Sequence, residues 1–367
     1  MKFRKILGYE PTENQGKLSF ILWRFIQTFI YIGYMIFFFI NRDKIVYRDD
    51  LWGKTADYYK SMISFTSAFV IVVEPMFNYL NYKAFQKRLK SFHILLNEKF
   101  ENLADVKKIQ NEIMRKLRNI IVSFMVIYIL CEINNFYRSM KIEQTRNIYF
   151  CFFIITILLY SKVWFIVHRL LIINECLVIL IKAMQFINQE LANNDKLDSK
   201  VYNKMIHDKY LAVINLYKLV QEMVGIFNDL GFPQLVILLA IKLYLMGDFY
   251  WISLVTMHNR IRMTVTYTLL VASFPKILIL LIQAYLSERI NVHNSKIINL
   301  IHKQQIVNNK QQPLTEHFIY TILMDKLEIY PVGVVKFDYS TLRDVAIDIM
   351  QALFIFIQLI PIYFNLS

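Results

Sequence analysis

The residues with chemistry to offer are ionisable side chains set in apolar surroundings: Glu74, Lys162, Lys242, Asp248, Lys276, Arg343, Asp344 and Asp348 all lie inside or at the edge of long hydrophobic stretches. A charge carried into hydrocarbon is costly unless it is paired, hydrated or close to a helix end, so each is a candidate for pairing, ion passage or ligand contact. Glu74 and Lys162 can pair with each other or with neighbours, and Lys276 follows Pro275 in a similar setting. Asp348, four residues beyond Asp344, is the better candidate for facing water or a pore, whereas Arg343 and Asp344 mark an interface. Lys242 and Asp248 stand on the outward half of their stretch beside Tyr244, Met246, Phe249, Tyr250 and Trp251. Aromatic rings with a few polar groups compose both a small-molecule pocket and an interfacial aromatic belt, and both readings stay open. Phe65, Tyr128, Glu132 and Tyr267 are further candidates for the pocket. Arg24 and Arg169 lie near inner helix ends and are expected to extend to the headgroups. The seven histidines (93, 168, 207, 258, 293, 302, 317) form no metal-ligand spacing, and no nucleophile motif is present. Neither enzyme chemistry nor a metal or cofactor is expected.

The elements that carry these residues follow from composition. Of 367 residues, 56% are hydrophobic and 19% charged, with a mean hydropathy of +0.37. Soluble chains average about 25% charged residues, so the surplus of apolar side chains points to lipid as the solvent. Eight glycines and seven prolines are few for this length, which argues for continuous helices and against Gly-rich nucleotide loops. A spanning helix needs about 20 mainly apolar residues. Seven stretches qualify: 18–40, 58–82, 118–137, 148–170, 225–256, 263–286 and 341–364. The fifth runs long and is expected as one tilted helix or a shorter one with an extracellular extension. The fold class is therefore an all-α membrane protein of seven transmembrane helices. No apolar segment precedes the first span, which is expected to act as its own membrane signal.

Basic residues decide the orientation, because they collect on the cytoplasmic side. The segments 1–17, 83–117, 171–224 and 287–340 hold 25 of the 42 Lys and Arg, against 9 in the segments that alternate with them. The N-terminus is thus expected in the cytoplasm and the C-terminus outside. This is inverted relative to G-protein-coupled receptors, and Asp-Arg-Tyr and Asn-Pro-x-x-Tyr are missing at the expected places. The net charge of +14 reports orientation rather than a nucleic-acid partner. A transporter is disfavoured by the absence of repeats and of Gly/Pro-broken helices. Cys131 and Cys151 lie near the outer ends of adjacent spans and could meet; Cys176 falls on the cytosolic side.

The cytosolic connections read as helices. Phe85, Leu89, Phe92, Leu96, Phe100 and Leu103 recur at three and four residues, as do apolar positions in 175–224 on either side of a polar break at 191–200. Ile297 to Ile301 continue the sixth helix, 304–313 is a loop, and 314–327 is helical. Such apolar stripes require burial, so these extensions are expected to form a cytosolic contact layer between subunits. Three parts result: 1–286 with six spans and an outer ligand-binding half, 287–340 as a cytoplasmic connection and anchor helix, and 341–367 as the last helix with a short extracellular end.

The last fifty residues carry a resemblance. Gly333 is followed five positions later by Asp338, and the seventh helix holds five apolar residues, Leu353 to Ile357, before Gln358. This resembles the C-terminal signature of insect gustatory receptors, with Gln351-Ala352 where Thr-Tyr is usual and Leu359 where Phe is usual. The resemblance implies a ligand-gated, non-selective cation channel, a homo- or hetero-tetramer with other receptor subunits, in which the seventh helix lines a shared pore. Gln358, Leu359, Phe354, Ile355 and Asp348 would then form the pore and gate, Gly333 and Asp338 a structural motif, and the outer aromatic set the site for a small-molecule tastant. It also implies a multi-pass plasma-membrane protein of a chemosensory dendrite, in contact with membrane lipid, that requires no G protein. The insect odorant receptors, of the same fold and topology, are the nearest alternative; a G-protein-coupled type or a small-solute transporter is more distant.

Overall fold

The computed structural model describes residues 16–40, 51–100, 146–193, 200–257, 263–307 and 327–364, with helical positions inside 115–133 and 316–322. Its elements are α1 (Lys17–Ile40), α2 (Leu51–Phe77), α3 (Tyr79–Lys99), α4 (Arg146–Asn193), α5 (Lys200–Asp229), α6 (Phe232–Met257), α7 (Met263–Val307), a 3₁₀ turn (Pro331–Gly333) and α8 (Tyr339–Phe364). The described residues contain helices and no strand. Lys17–Phe37, Lys162–Glu190, Lys204–Asp229 and Phe232–Tyr250 are each long and apolar enough to cross a membrane, and Met62–Phe77 with Tyr79–Lys99 form a fifth, broken candidate.

Several helices are much longer than a bilayer requires. At 1.5 Å per residue, α4 with 48 residues runs about 72 Å and α7 with 45 about 68 Å, roughly twice the hydrocarbon thickness. Each therefore continues a spanning segment into a second layer, as the periodicity beyond 171 and 287 leads one to expect. There α4 packs along α7 and α5, and α5 packs along α3. Tyr82, Phe85 and Phe92 of α3, Leu177, Leu180 and Met184 of α4, Tyr217 and Val220 of α5, and Ile290, Ile297 and Ile301 of α7 close one continuous apolar core. The break between α4 and α5 falls in the polar stretch anticipated from sequence.

The second helix is bent by 69° between Phe77 and Tyr79. Pro75, inside α2, leaves the Ile71 carbonyl without its helical donor one turn before that bend, while the Asn78 N–H still reaches the Glu74 carbonyl at 3.1 Å.

Three expectations need correction. The fifth stretch is not one helix over 225–256: the chain breaks at Leu230 and Gly231, residues 225–229 belong to α5, and α6 starts at Phe232. Asn228, Asp229, Gly231 and Pro233 mark the turn in the sequence, between two apolar runs that a hydropathy window joins into one. Lys242 consequently lies on the amino-terminal half of α6 rather than its outward half. Arg24 and Arg169 do not reach for headgroups; they are 1% and 4% exposed. The Arg169 guanidinium lies 4.3 Å from the Phe165 ring centre and 4.5 Å from that of Tyr82, and Arg24 donates to Gln27 Oε1 at 2.8 Å. Aromatic faces attract a guanidinium, and this offsets part of the cost of its burial.

Candidate functional site

The segment 327–338 leads into α8 and holds its first turn. Asn228, at the end of α5, clasps it with both ends of its amide: Nδ2 donates to the Glu328 carbonyl at 3.0 Å, and Oδ1 accepts from the Tyr330 N–H at 2.9 Å. Pro331 then crosses directly over Gly231, where a Cβ would lie 2.5 Å from Pro331 Cα. Gly333 turns the chain with φ +68°, a left-handed conformation that glycine adopts without steric cost. Val332 shares that region at φ 54°. Phe337 N–H returns to the Ile329 carbonyl at 2.9 Å, and Asp338 caps α8. Its Oδ1 accepts from the N–H groups of Ser340 (2.8 Å) and Thr341 (3.2 Å), the two donors an N-cap carboxylate serves. Burial opposes the Asp338 charge, but the Ser340 hydroxyl, these two amides and Lys336 hold its carboxyl below the usual range. The hydrogen bond to Glu328, 3.0 Å away, raises Lys336. The spacing of Gly333 and Asp338 thus has a local cause: one reverses the chain and the other starts the helix.

From that cap, α8 rises beside α6 and α7. Lys242 and Asp348 form an ion pair between α6 and α8. Both stand about 14 Å above the starts of their helices at 1.5 Å per residue, so the pair ties the two together at equal depth. Asp348 is therefore charge-paired within the subunit. One level away, Asp248 is buried and accepts from Lys276 Nζ at 2.8 Å and Ser273 Oγ at 3.2 Å, which joins α6 to α7. Lys276 also lies 4.9 Å from the Tyr244 ring centre. The structure therefore brings Tyr244, Asp248, Ser273 and Lys276 into one polar-aromatic cluster; Tyr250, half-buried, stands two residues past Asp248 and so about 200° around α6. Ser273 is the member that sequence reading missed; a lone serine in an apolar helix carries no periodic signal.

Phe65 belongs elsewhere: it is fully buried against Tyr31 of α1, whose hydroxyl donates to the Phe65 carbonyl. The backbones of Trp251 and Tyr267 lie in α6 and α7, but their side chains, like Tyr128, Glu132, Cys131 and the side chain of Cys151, fall outside the described residues. Glu74 and Lys162 do pair, at 2.8 Å, and Tyr82 completes a triangle by donating to Glu74 Oε2 at 2.7 Å and accepting from Lys162 at 2.8 Å.

The opposite face of α8 is open. Arg343, Ile347, Gln351, Phe354 and Gln358 fall at helical spacing and are all exposed, and Ile355 lies beside them. Phe354 and Ile355 are 62% and 57% exposed, far more than interior packing allows. The Leu359 side chain lies outside the described residues. On the inner face of α8, a cavity of about 360 Å³ separates it from α6 and α7. Leu342, Val345, Ala346, Ile349, Met350 and Leu353 line one wall; Leu245, Phe249, Ile277, Leu280 and Leu281 line the other. Among the described residues no group of His, Cys, Asp or Glu could hold a metal ion.

No family model and no curated protein matches the chain. Solved structures do match, among them the insect olfactory receptor OR5 from Machilis hrabei in complex with eugenol, at TM-score 0.61, and the same receptor without it, at 0.56. In both, 9% of residues are identical and the alignment covers 98% of each chain. At that identity the similarity is one of fold, and it runs from end to end: the chain is an all-α membrane protein with the fold of an insect olfactory receptor.

Proposed function

We propose that the protein is a chemosensory receptor that works as a ligand-gated, non-selective cation channel, with seven spans, a cytoplasmic N-terminus and α8 lining a pore shared by four subunits. The observation that carries this reading is the open face of α8 ending at Gln358, on a chain whose fold matches an olfactory receptor over 98% of its length. Lipid alone would satisfy Ile347, Phe354 and Ile355, but the Arg343, Gln351 and Gln358 that share their face call for water, and Gln358 beside Leu359 suits a constriction: an apolar ring gates by dewetting, and neutral amides meet a hydrated cation. The layer formed by α3, α4, α5 and α7 buries its apolar stripes within the chain, and its outer surface supplies the cytosolic contact. The polar-aromatic cluster of Tyr244, Asp248 and Lys276 is the ligand site.

The ligand is a small molecule. A tastant is favoured by the spacing of Gly333, Asp338 and Gln358, which follows the gustatory pattern; an odorant is favoured by the two olfactory neighbours, one of them solved with eugenol. A panel of sugars, bitter compounds and volatile aromatics, eugenol included, applied to cells expressing the chain alone and with co-receptors, separates the two. Cation current independent of G-protein input, with unitary conductance altered by Gln358→Ala or Leu359→Ala, is the expected result. Ligand-evoked responses that disappear when G proteins are blocked would refute the channel.

A further inference from the structure

The cavity behind α8 has a composition unlike that of the proposed ligand site. All eleven lining residues are apolar, whereas pockets for drug-sized ligands carry a few convergent polar groups that fix orientation. A molecule with polar groups would lose its hydrogen bonds to water there without replacement, so the cavity selects hydrocarbon. It is also reached from the side: Leu281 of α7 and Met350 of α8, 44% and 54% exposed, stand at its mouth on the surface.

The same face of α7 continues from that mouth. Leu281, Tyr285 and Arg289 follow at intervals of four, which stacks them along one stripe and puts Arg289 about 12 Å below the mouth. Tyr285 is exposed, and the Arg289 guanidinium lies 3.4 Å from its hydroxyl and 5.9 Å from its ring centre. Across the mouth, Leu342 lines the cavity and the next residue, Arg343, is exposed, though it faces the Asp344 carboxylate at 3.3 Å. An apolar slot open to the bilayer, followed by a tyrosine and an arginine at interfacial depth, reproduces the order of a phospholipid from tail to headgroup.

We infer that this cavity binds an acyl chain of an anionic phospholipid, with Tyr285 meeting the phosphate and Arg289 the net negative charge of the headgroup, which a zwitterionic choline lipid lacks. Assigning the lipid to the cytoplasmic leaflet rests on the proposed orientation; the site itself does not. The tail fills the space that would otherwise let α8 close on α6 and α7, so occupancy sets how far the last helix stands from its neighbours.

The test uses the full-length protein in nanodiscs doped with phosphatidylserine or phosphatidylcholine that carries a photoactivatable diazirine in the acyl chain. Labelling of peptides from 277–289 and 342–353 is expected to be several-fold greater for phosphatidylserine. Ala346→Trp, which fills the cavity, should abolish it, and Arg289→Gln should lower phosphatidylserine labelling to the phosphatidylcholine level. Leu281→Trp, which plugs the mouth from the surface, serves in place of Ala346→Trp if that variant does not elute as a folded species. Equal labelling by the two lipids, labelling that survives the tryptophan variants, labelling only by eugenol photoprobes, or cross-links to a second copy would each overturn the inference. None of these readouts depends on channel activity, so they separate this site from the proposed function.

Discussion

At the scale of single residues, the buried charges separate into those that hold the fold and those that serve a site. Glu74 and Lys162 are both almost wholly buried, and every polar atom of the pair faces Tyr82, Asn78 or its partner. Removing one member leaves the other charge without compensation, which costs about 3–5 kcal/mol, whereas replacing both with apolar residues of similar size is often close to neutral. Glu74→Gln should therefore lower thermal stability in detergent sharply, and Glu74→Leu with Lys162→Met should recover most of it. If the double variant is as unstable as the single one, the pair has a role beyond charge balance. His293 gives a pH dependence of known sign. Burial, then the nearby charges of Arg289 and Lys296, push its imidazole down to about 4 from an ordinary value near 6.5. Between those values the unfolded chain binds a proton that the folded one does not, so stability should fall as pH drops from about 6.5 to 4. His293→Gln should flatten that slope in thermal unfolding measured across the same range.

At the scale of elements, the working part is the junction where α5 ends, α6 begins and the 327–338 segment crosses both. A Cβ at residue 231 would overlap Pro331, whose Cα and Cβ are backbone and ring atoms with no rotamer to move. Gly231→Ala should thus displace the segment that caps α8, costing about 1–3 kcal/mol as overpacking does. A folded channel with a shifted activation curve would show that the junction transmits motion; an unchanged curve and melting temperature would show that it does not constrain α8. Asp338→Ala should cost about 1 kcal/mol through loss of the N-cap, and Asp338→Asn much less. The junction also marks what was legible in the sequence. Long amphipathic helices and the polar break after α4 were readable because each leaves a periodic or compositional trace, and the Gly333–Asp338 spacing through its resemblance to a family signature. The break at Leu230 and Gly231 was written there too, in Asn228, Asp229, Gly231 and Pro233, but joining the flanking apolar runs into one span passed over it; what no local signal carries is the segment a hundred residues away that the break admits. The pairing of Lys242 with Asp348 was hidden for the same reason: misplacing the start of α6 put the two at different depths. The cluster around Lys276 was half legible, with Asp248 and Tyr244 marked by their chemistry and Ser273 by nothing.

At the scale of the whole molecule, the number of crossings decides where the two termini lie. Seven crossings place them on opposite sides, but Lys204–Asp229 in α5 is also long and apolar enough to span, and counting it as an eighth would return the C-terminus to the side of the N-terminus. The surroundings of α5 argue against that. Lys209 pairs with Glu190 of α4 at 2.8 Å and Glu222 with Arg88 of α3 at 2.6 Å, while Lys204 and Lys218 are exposed. Exposed lysines half the helix apart would face hydrocarbon at several kcal/mol each if it crossed, whereas in the cytosol they cost nothing. The apolar side of α5 is satisfied instead by α3, α4 and the aromatic contact of Tyr217 with Phe318, at 5.3 Å between ring centres. Epitope tags should accordingly label the N-terminus only after permeabilisation and the C-terminus on intact cells. A tag inserted after Lys196, between α4 and α5, should share the protection of the N-terminus. Two termini on the same side, with the inserted tag protected, would make α5 a span and dismantle the seven-helix arrangement on which the pore role of α8 rests.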